Sequence, residues 1–253
     1  FFASLRRIIM TEIAIVIPSR LKAERLPNKP LELIRGKEMI LHVYDSAIKS
    51  GVNNVFVATP DVQIMNVVER HGGRAILTQN SHKTGTDRVY EVFTNKLINK
   101  SEIIINVQGD MPNLNSSDIK HLIEHMKKGS CDIATLASDL NSEKEKNDPN
   151  ICKVVTNKNI NSSNSGIALD FYREPQKSSN EFIFHHVGIY AFTSKALIRY
   201  VSLERSKLEI KRNLEQMRAM ENEMKIEVCY ISGCPLSVDT VDDLKEIKKI
   251  MEK

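Results

Sequence analysis

Arg20, Lys22, Arg25 and Lys29 place four cations on one thirteen-residue stretch, residues 18–30. Pro18, Pro27 and Pro30 stiffen it, so the charges are held at low entropic cost. Convergent guanidinium and ammonium groups suit a polyanion, and a triphosphate is the obvious one. The stretch contains no glycine. It is therefore neither a Walker loop nor a dinucleotide fingerprint, and side chains would have to hold the phosphates. A solvated basic surface loop is an equally good reading of these residues taken alone.

Two carboxylates could complete such a site. Asp110 ends Gln108-Gly109-Asp110, directly after an apolar run. A carboxylate facing a triphosphate is a natural Mg²⁺ ligand, because Mg²⁺ takes one or two carboxylates plus phosphate oxygens. Gly109 would let the backbone approach the ligand, although Gly-Asp is also good turn chemistry. Asp239 is a second metal candidate; it could equally cap the last helix with Thr240, Asp242 and Asp243. Lys83-Thr84-Gly85-Thr86-Asp87-Arg88 reads as a glycine loop entering a helix, whose free N–H groups suit anions or base edges. His185-His186 reads more readily as a structural pair than as ligands. Glu209, Glu215 and Gln216 share a predicted helix without diagnostic spacing.

The elements that would position these groups alternate. Residues 13–17 form an apolar run suited to a buried parallel strand. The cationic stretch thus leaves the carboxyl end of the first strand, where open α/β sheets bind ligands. A polar turn at 35–37 precedes a helix over 39–50. Strands at 54–59, 74–78 and 102–107 alternate with a helix over 61–71 and one opening at 86, whose apolar stripe is Val89, Val92, Phe93 and Leu97. This predicts an α/β fold with a parallel, doubly wound sheet. A helix over 116–128 and a strand at 132–137 follow, then a charged loop over 142–150. Short strands are expected at 152–156, 167–171 and 183–192, helices at 194–201 and within 206–221, a strand at 226–231 and a terminal helix from 240. The sheet should therefore be mixed but mainly parallel, helices on both faces, with a lid or dimerisation lobe over about 150–205.

Composition narrows the classes. The chain has 253 residues, a net charge of +4 and 41% hydrophobic residues, enough for one large domain with an ordinary core. Charges of both signs are interspersed and no basic tract carries aromatics, which argues against nucleic acid. Cys131, Cys152, Cys229 and Cys234 lack paired metal spacing and read as buried small hydrophobes in a reducing, cytoplasmic setting. No apolar run approaches a membrane span. Residues 1–12 read as an N-terminal extension before a single domain over 13–253.

Taken together, Ile17-Pro18-Ser19-Arg20 with Arg25-Leu26-Pro27-Asn28-Lys29-Pro30, Gly85-Thr86-Asp87-Arg88 and Asn106-Val107-Gln108-Gly109-Asp110 resemble the CMP-KDO synthetase family, the 3-deoxy-manno-octulosonate cytidylyltransferases. Asp148-Pro149-Asn150 with Lys153-Val154-Val155, His186-Val187-Gly188-Ile189-Tyr190, Leu214-Glu215-Gln216-Met217-Arg218 and Val238-Asp239-Thr240 support it in the same order. The resemblance spans about residues 13–252. It implies a Rossmann-like nucleotidyltransferase fold that couples KDO to CTP for lipopolysaccharide synthesis, releasing pyrophosphate, and that works as a homodimer. It implies that Arg20, Arg25 and Lys29 hold the CTP phosphates, with Thr84, Gly85, Thr86 and Arg88 completing the nucleotide side. Asp110 and Asp239 would hold Mg²⁺, while Gln108, Arg173, His186, Tyr190, Glu215 and Gln216 face the sugar acid. Arg20, Lys29, Asp110 and Asp239 would carry the chemistry.

The chain departs from the family pattern in places. Asn28 stands where glycine is usual, Met111 where glutamate is usual, and Arg212 where an acid is usual; the segment after Arg173 is short. The rival readings are a sialic-acid or other sugar nucleotidyltransferase and a catalytically silent nucleotide-binding module.

Overall fold

The computed structural model describes residues 12–22, 25–94, 98–174 and 182–252. Most of the expected N-terminal extension, Leu97, and residues 175–180 of the short segment after Arg173 lie outside the described residues.

The first half alternates as expected. Strand β1 (Ile13–Pro18) leads through the cationic stretch and a 3₁₀ turn at Lys29–Leu31 to a small hairpin, β2 (Leu33–Ile34) and β3 (Lys37–Glu38). Arg35 and Gly36 both take positive φ there, the demand of a tight two-residue hairpin. Helix α1 (Met39–Lys49), β4 (Asn54–Thr59), α2 (Val62–Arg70), β5 (Ala75–Leu77), α3 (Gly85–Phe93), β6 (Ile103–Asn106) and α4 (Ser116–Lys127) follow. Successive β1 side chains point to opposite faces. Ile15 and Ile17 pack with α1, α2 and α4, whereas Ala14 and Val16 pack with α3. Burial on both faces explains a run without polar alternation.

The second half continues the same sheet with β7 (Ile133–Ser138), β8 (Lys153–Thr156), β9 (Ser165–Tyr172), β10 (Ile183–Thr193) and β11 (Ile226–Tyr230). The strand order is β5-β4-β1-β6-β10-β7-β11-β9-β8. Its helices are a short α5 (Glu143–Asn147), α6 (Ser194–Ser202), α7 (Lys207–Arg212), α8 (Met217–Glu221) and α9 (Val241–Glu252).

Three expectations change. The sheet is mixed but not mainly parallel: four of its nine ladders are parallel, because β10 runs against both neighbours and β8 and β9 form a meander. The charged segment 142–150 contains α5, whose first turn is capped by the Ser142 hydroxyl. The predicted helix within 206–221 is two helices, broken where Asn213 adopts left-handed φ 52°.

β10 also pairs with β8 through its first residues, while its last residues pair with β6. Strands β8, β9, β11, β7 and β10 therefore close into a ring. Val154, Val155, Phe171 and Val187 are buried inside a single chain. A second copy is thus not needed to cover the strands of the lobe expected over about 150–205.

Candidate active site

The carboxyl ends of β1 and β6 meet side by side, since Val16 registers with Asn106. Gly109 makes that meeting possible. A Cβ there would sit 3.2 Å from the Pro18 carbonyl oxygen and 3.2 Å from Ile40. Its missing side chain serves strand-to-loop packing, not the ligand approach expected from the sequence. Asp110 follows at the mouth of the cleft, and its carbonyl accepts the Val238 N–H at 2.8 Å. Asn113 holds the same incoming segment by accepting the Leu236 N–H. Asp239 is thereby laid beside Asp110, although the two are far apart in sequence.

The neighbours of Asp239 remove the helix-cap reading. Asp243 accepts the N–H groups of Asp239 and Thr240, and the Thr240 hydroxyl accepts the Asp243 N–H. The cap of α9 is complete without the Asp239 carboxylate, which turns to the cleft. Lys29 Nζ donates to Asp110 and to Asp239, each at 2.9 Å, and to the Val238 carbonyl at 3.0 Å. Arg25 pairs with the second Asp239 oxygen at 3.0 Å. Burial works against the Lys29 charge, but the two carboxylates outweigh it and raise its pKa. Burial likewise opposes ionisation of Asp239, and Lys29 with Arg25 reverses the balance and lowers its pKa. Two carboxylates within one hydrogen bond of the same ammonium make a place built for positive charge. Lys29, expected on the phosphates, is engaged with these acids in this structure.

Two hollows meet at that point. One, about 970 Å³, is lined by Ser19, Arg20, Lys22, Lys29, Thr84, Gly85 and Arg88 among others. The other, about 800 Å³, is lined by Arg173, His186, Tyr190 and Gln216 among others. Arg25, Gln108, Asp110, Asn213, Glu215 and Asp239 line both. All the site residues expected from the sequence therefore fall on one divided cleft.

On the first side, Arg88 is buried and donates to Thr78 and to the Gln79 carbonyl. Among the described residues no acid lies within ion-pair distance of Arg88 or Arg20. Burial first, and then Arg20, lowers the Arg88 pKa. An anion between them would relieve both effects. Ser19, which sequence reasoning quoted but did not assign, has a buried hydroxyl without a partner on the same wall. Its signal in the sequence was only its place next to Arg20.

The α3 amino terminus departs from expectation. The Gly85 and Thr86 N–H groups and the Thr86 hydroxyl all donate to Glu215, at 3.0, 3.2 and 2.8 Å. Thr84 caps the helix by accepting the Asp87 N–H. These N–H groups are not free for an anion, and Glu215 spends its carboxylate as a latch between the two sides. Asn106, also missed, donates to Thr86 and accepts from Gln108 at 3.0 Å. It orients Gln108 at the junction.

On the second side His186 is buried, sharing a hydrogen bond with the Tyr190 hydroxyl at 2.9 Å and with Thr135 at 3.1 Å. Burial first, then His185 and Arg173, pushes its pKa down to about 3. It is a neutral hydrogen-bonding group. Arg173 donates to the Asn150 carbonyl, and the buried Lys153 ammonium donates to the Arg173 carbonyl at 2.8 Å. Gln216 reaches the Cys152 sulfur. Burial raises the thiols of Cys131, Cys152 and Cys229 to about 12, so none is an activated nucleophile. Asn28 takes φ 59°, which its short side chain tolerates in place of glycine. Met111 is buried in the core.

Comparison with known proteins identifies the family. The sequence profile of the cytidylyltransferase family matches residues 14–226. A 3-deoxy-manno-octulosonate cytidylyltransferase from Bartonella tribocorum is 39% identical over 241 residues, covering 95% of this chain and 98% of its own. The chain belongs to the 3-deoxy-manno-octulosonate cytidylyltransferase family. A relative of the same description from Paramagnetospirillum magneticum is 37% identical over 94% of this chain and 97% of its own. Among solved structures, a CMP:2-keto-3-deoxy-manno-octonic acid synthetase complexed with CTP superposes with a TM-score of 0.85 at 35% identity, covering 95% of this chain and 98% of its own. A 4-diphosphocytidyl-2C-methyl-D-erythritol synthase from Anaerococcus prevotii shares the fold alone, with a TM-score of 0.64 at 13% identity over 95% of this chain and 98% of its own.

Proposed function

We propose that this chain joins the anomeric hydroxyl of KDO to the α-phosphorus of CTP, giving CMP-KDO and pyrophosphate. The observation that carries the reading is the junction itself: Asp110, Asp239, Gln108 and Glu215 line both a cation-rich hollow and an aromatic, hydrogen-bonding one. A reaction between a triphosphate and a neutral hydroxyl of a sugar acid needs two such half-sites meeting at one carboxylate pair. Arg20, Lys22 and the buried Arg88 supply positive charge where negative charge grows on the leaving pyrophosphate. Gln108, held by Asn106, offers its amide to the acceptor sugar, and Arg173 answers the sugar carboxylate.

The convergent carboxylates fit Mg²⁺, whose donor set is hard oxygen and whose remaining positions phosphate oxygens would fill. Asp110 and Asp239 would hold it. When bound, Mg²⁺ supplies Lewis-acid neutralisation of the α-phosphate. Lys29 holds these two acids close together when no other cation is near.

No helix among the described residues is long and apolar enough to cross a membrane, and we place the protein in the cytoplasm, where CTP is found. The homodimer implied by the resemblance now rests on a smaller surface. Among the large hydrophobics of the ring strands, Leu169 alone is exposed, at 52%.

Pyrophosphate release from CTP tests the reading. Turnover with KDO and none with N-acetylneuraminate is the expected result. Turnover with N-acetylneuraminate instead would move the enzyme to the sialic-acid branch, and none with either acid would leave a nucleotide-binding module.

A further inference from the structure

A second constellation of metal-binding side chains stands away from the cleft. His125 lies in the last turn of α4, Cys131 in the connection from α4 to β7, and Glu227 on β11. One ligating atom from each, an imidazole nitrogen, a sulfur and a carboxylate oxygen, lies within 4.8 Å of the other two. His125 Nε2 and Glu227 Oε2 are 2.8 Å apart, and the same oxygen accepts from the Ser165 hydroxyl at 3.1 Å. Cys131 Sγ lies 3.6 Å from Met126 Sδ. Cys229 stands two residues from Glu227 and so on the same face of β11, adding a third sulfur behind the group.

The place is structurally fixed. β7 and β11 run parallel with Ile133 opposite Ile226, so Cys131 and Glu227 sit where both strands begin. That is the amino edge of the sheet, opposite the edge that carries Asp110. The cytidylyl-transfer reading gives these residues no task. Their side chains are mostly but not wholly covered, at 10% for His125 and 19% for Glu227, so an ion can enter.

Nitrogen, thiolate and carboxylate donors are the ligand set of zinc, and tetrahedral zinc sets such atoms about 3.3–3.8 Å apart. The three atoms would close by at most about 1.5 Å, with the His125–Glu227 pair opening slightly. The fourth position falls to water or to one of the neighbouring sulfurs. We propose that His125, Cys131 and Glu227 form a binding site for one Zn²⁺ ion. The ion would tie the end of α4 to the starts of β7 and β11. The sequence hides the site because its ligands come from three elements, with His125 and Glu227 102 positions apart.

The test uses full-length protein stripped with a chelator and titrated with Co²⁺, a spectroscopic stand-in for zinc. One equivalent should develop a thiolate-to-cobalt absorption band that Zn²⁺ then abolishes. Cys131→Ser should lose the band, and Glu227→Gln should weaken binding by about tenfold or more. Co²⁺ held by Asp110 and Asp239 would give no sulfur band, so the two sites are told apart. On the wild-type protein, Zn²⁺ should slow alkylation of Cys131, mapped by mass spectrometry, by about tenfold or more; this arm needs no variant to fold. A band that survives in Cys131→Ser, or alkylation indifferent to Zn²⁺, would overturn the proposal and leave an ordinary His–Glu hydrogen bond.

Discussion

At the scale of residues, the cleft separates charge that serves chemistry from charge that serves structure. Asp110 contributes little packing, so Asp110→Asn should leave the melting temperature within a few degrees of wild type. It should lower pyrophosphate release by about a thousandfold or more, since charge stabilisation at the reacting phosphate is among the largest catalytic terms. A variant retaining a tenth of wild-type turnover would remove Asp110 from the mechanism. Arg20 is exposed and touches no acid among the described residues, so Arg20→Ala should cost the fold nothing. It should weaken CTP binding and slow turnover together, because the charge it balances grows in the transition state. Unchanged affinity and rate in steady-state kinetics would exclude that role. His186 has a folded pKa near 3, below the ordinary value of about 6.5. Its neutral form favours the native state fully above pH 6.5. That contribution is lost as pH falls toward 3, because the unfolded chain takes the proton first, by up to about 1.4 kcal/mol per pH unit. Urea titrations across this window should show the slope in the wild type and a shallower one in His186→Gln. Its imidazole resonance should not titrate above pH 5.

At the scale of elements, the latch between α3 and the segment joining α7 to α8 is the least conspicuous device and the most consequential. Asn213 ends α7 in a left-handed conformation, and that reversal aims Glu215 at the amino terminus of α3, where a carboxylate is favoured. Glu215→Ala would leave the Gly85 and Thr86 donors without partners, costing about 1–3 kcal/mol. A fall of several degrees in melting temperature should accompany a raised KM for CTP, because the loop carrying Lys83 and Thr84 loses its anchor. An unshifted KM would confine Glu215 to the sugar side. The strands and helices from β1 to α4, apart from the hairpin β2–β3, were legible because uninterrupted apolar runs and 3.6-residue stripes report burial on both faces of a sheet. The reversal of β10 was not, since nothing local in a strand states which way it runs. Nor was the break at Asn213, where a good helix-forming segment is interrupted by one residue that tolerates αL. The cations and both acids of the site could be picked out by type and position. Their mutual pairing could not, because Lys29 meets Asp239 across 210 positions.

At the scale of the whole molecule, the strand ring changes what assembly can be for. A dimer is not needed to cover Val154 or Phe171, which are already sealed, so any partner must find its contact elsewhere, with Leu169 as the exposed apolar residue of the ring. Light scattering at micromolar concentration should report twice the chain mass. Leu169→Lys should return the chain mass with turnover altered less than association; a wild-type monomer would dismiss the dimer. β10 has a further implication. The same uninterrupted strand is stitched to β6 at one end and to β8 at the other, with its register shift between Val187 and Tyr190 lying between the two stitched ends. The distance of His186, on the second hollow, from the stitch to β6 is therefore written in a count of residues along one strand, like graduations on a ruler. One inserted residue between Tyr190 and Thr193 would turn every side chain on one side of it to the opposite face.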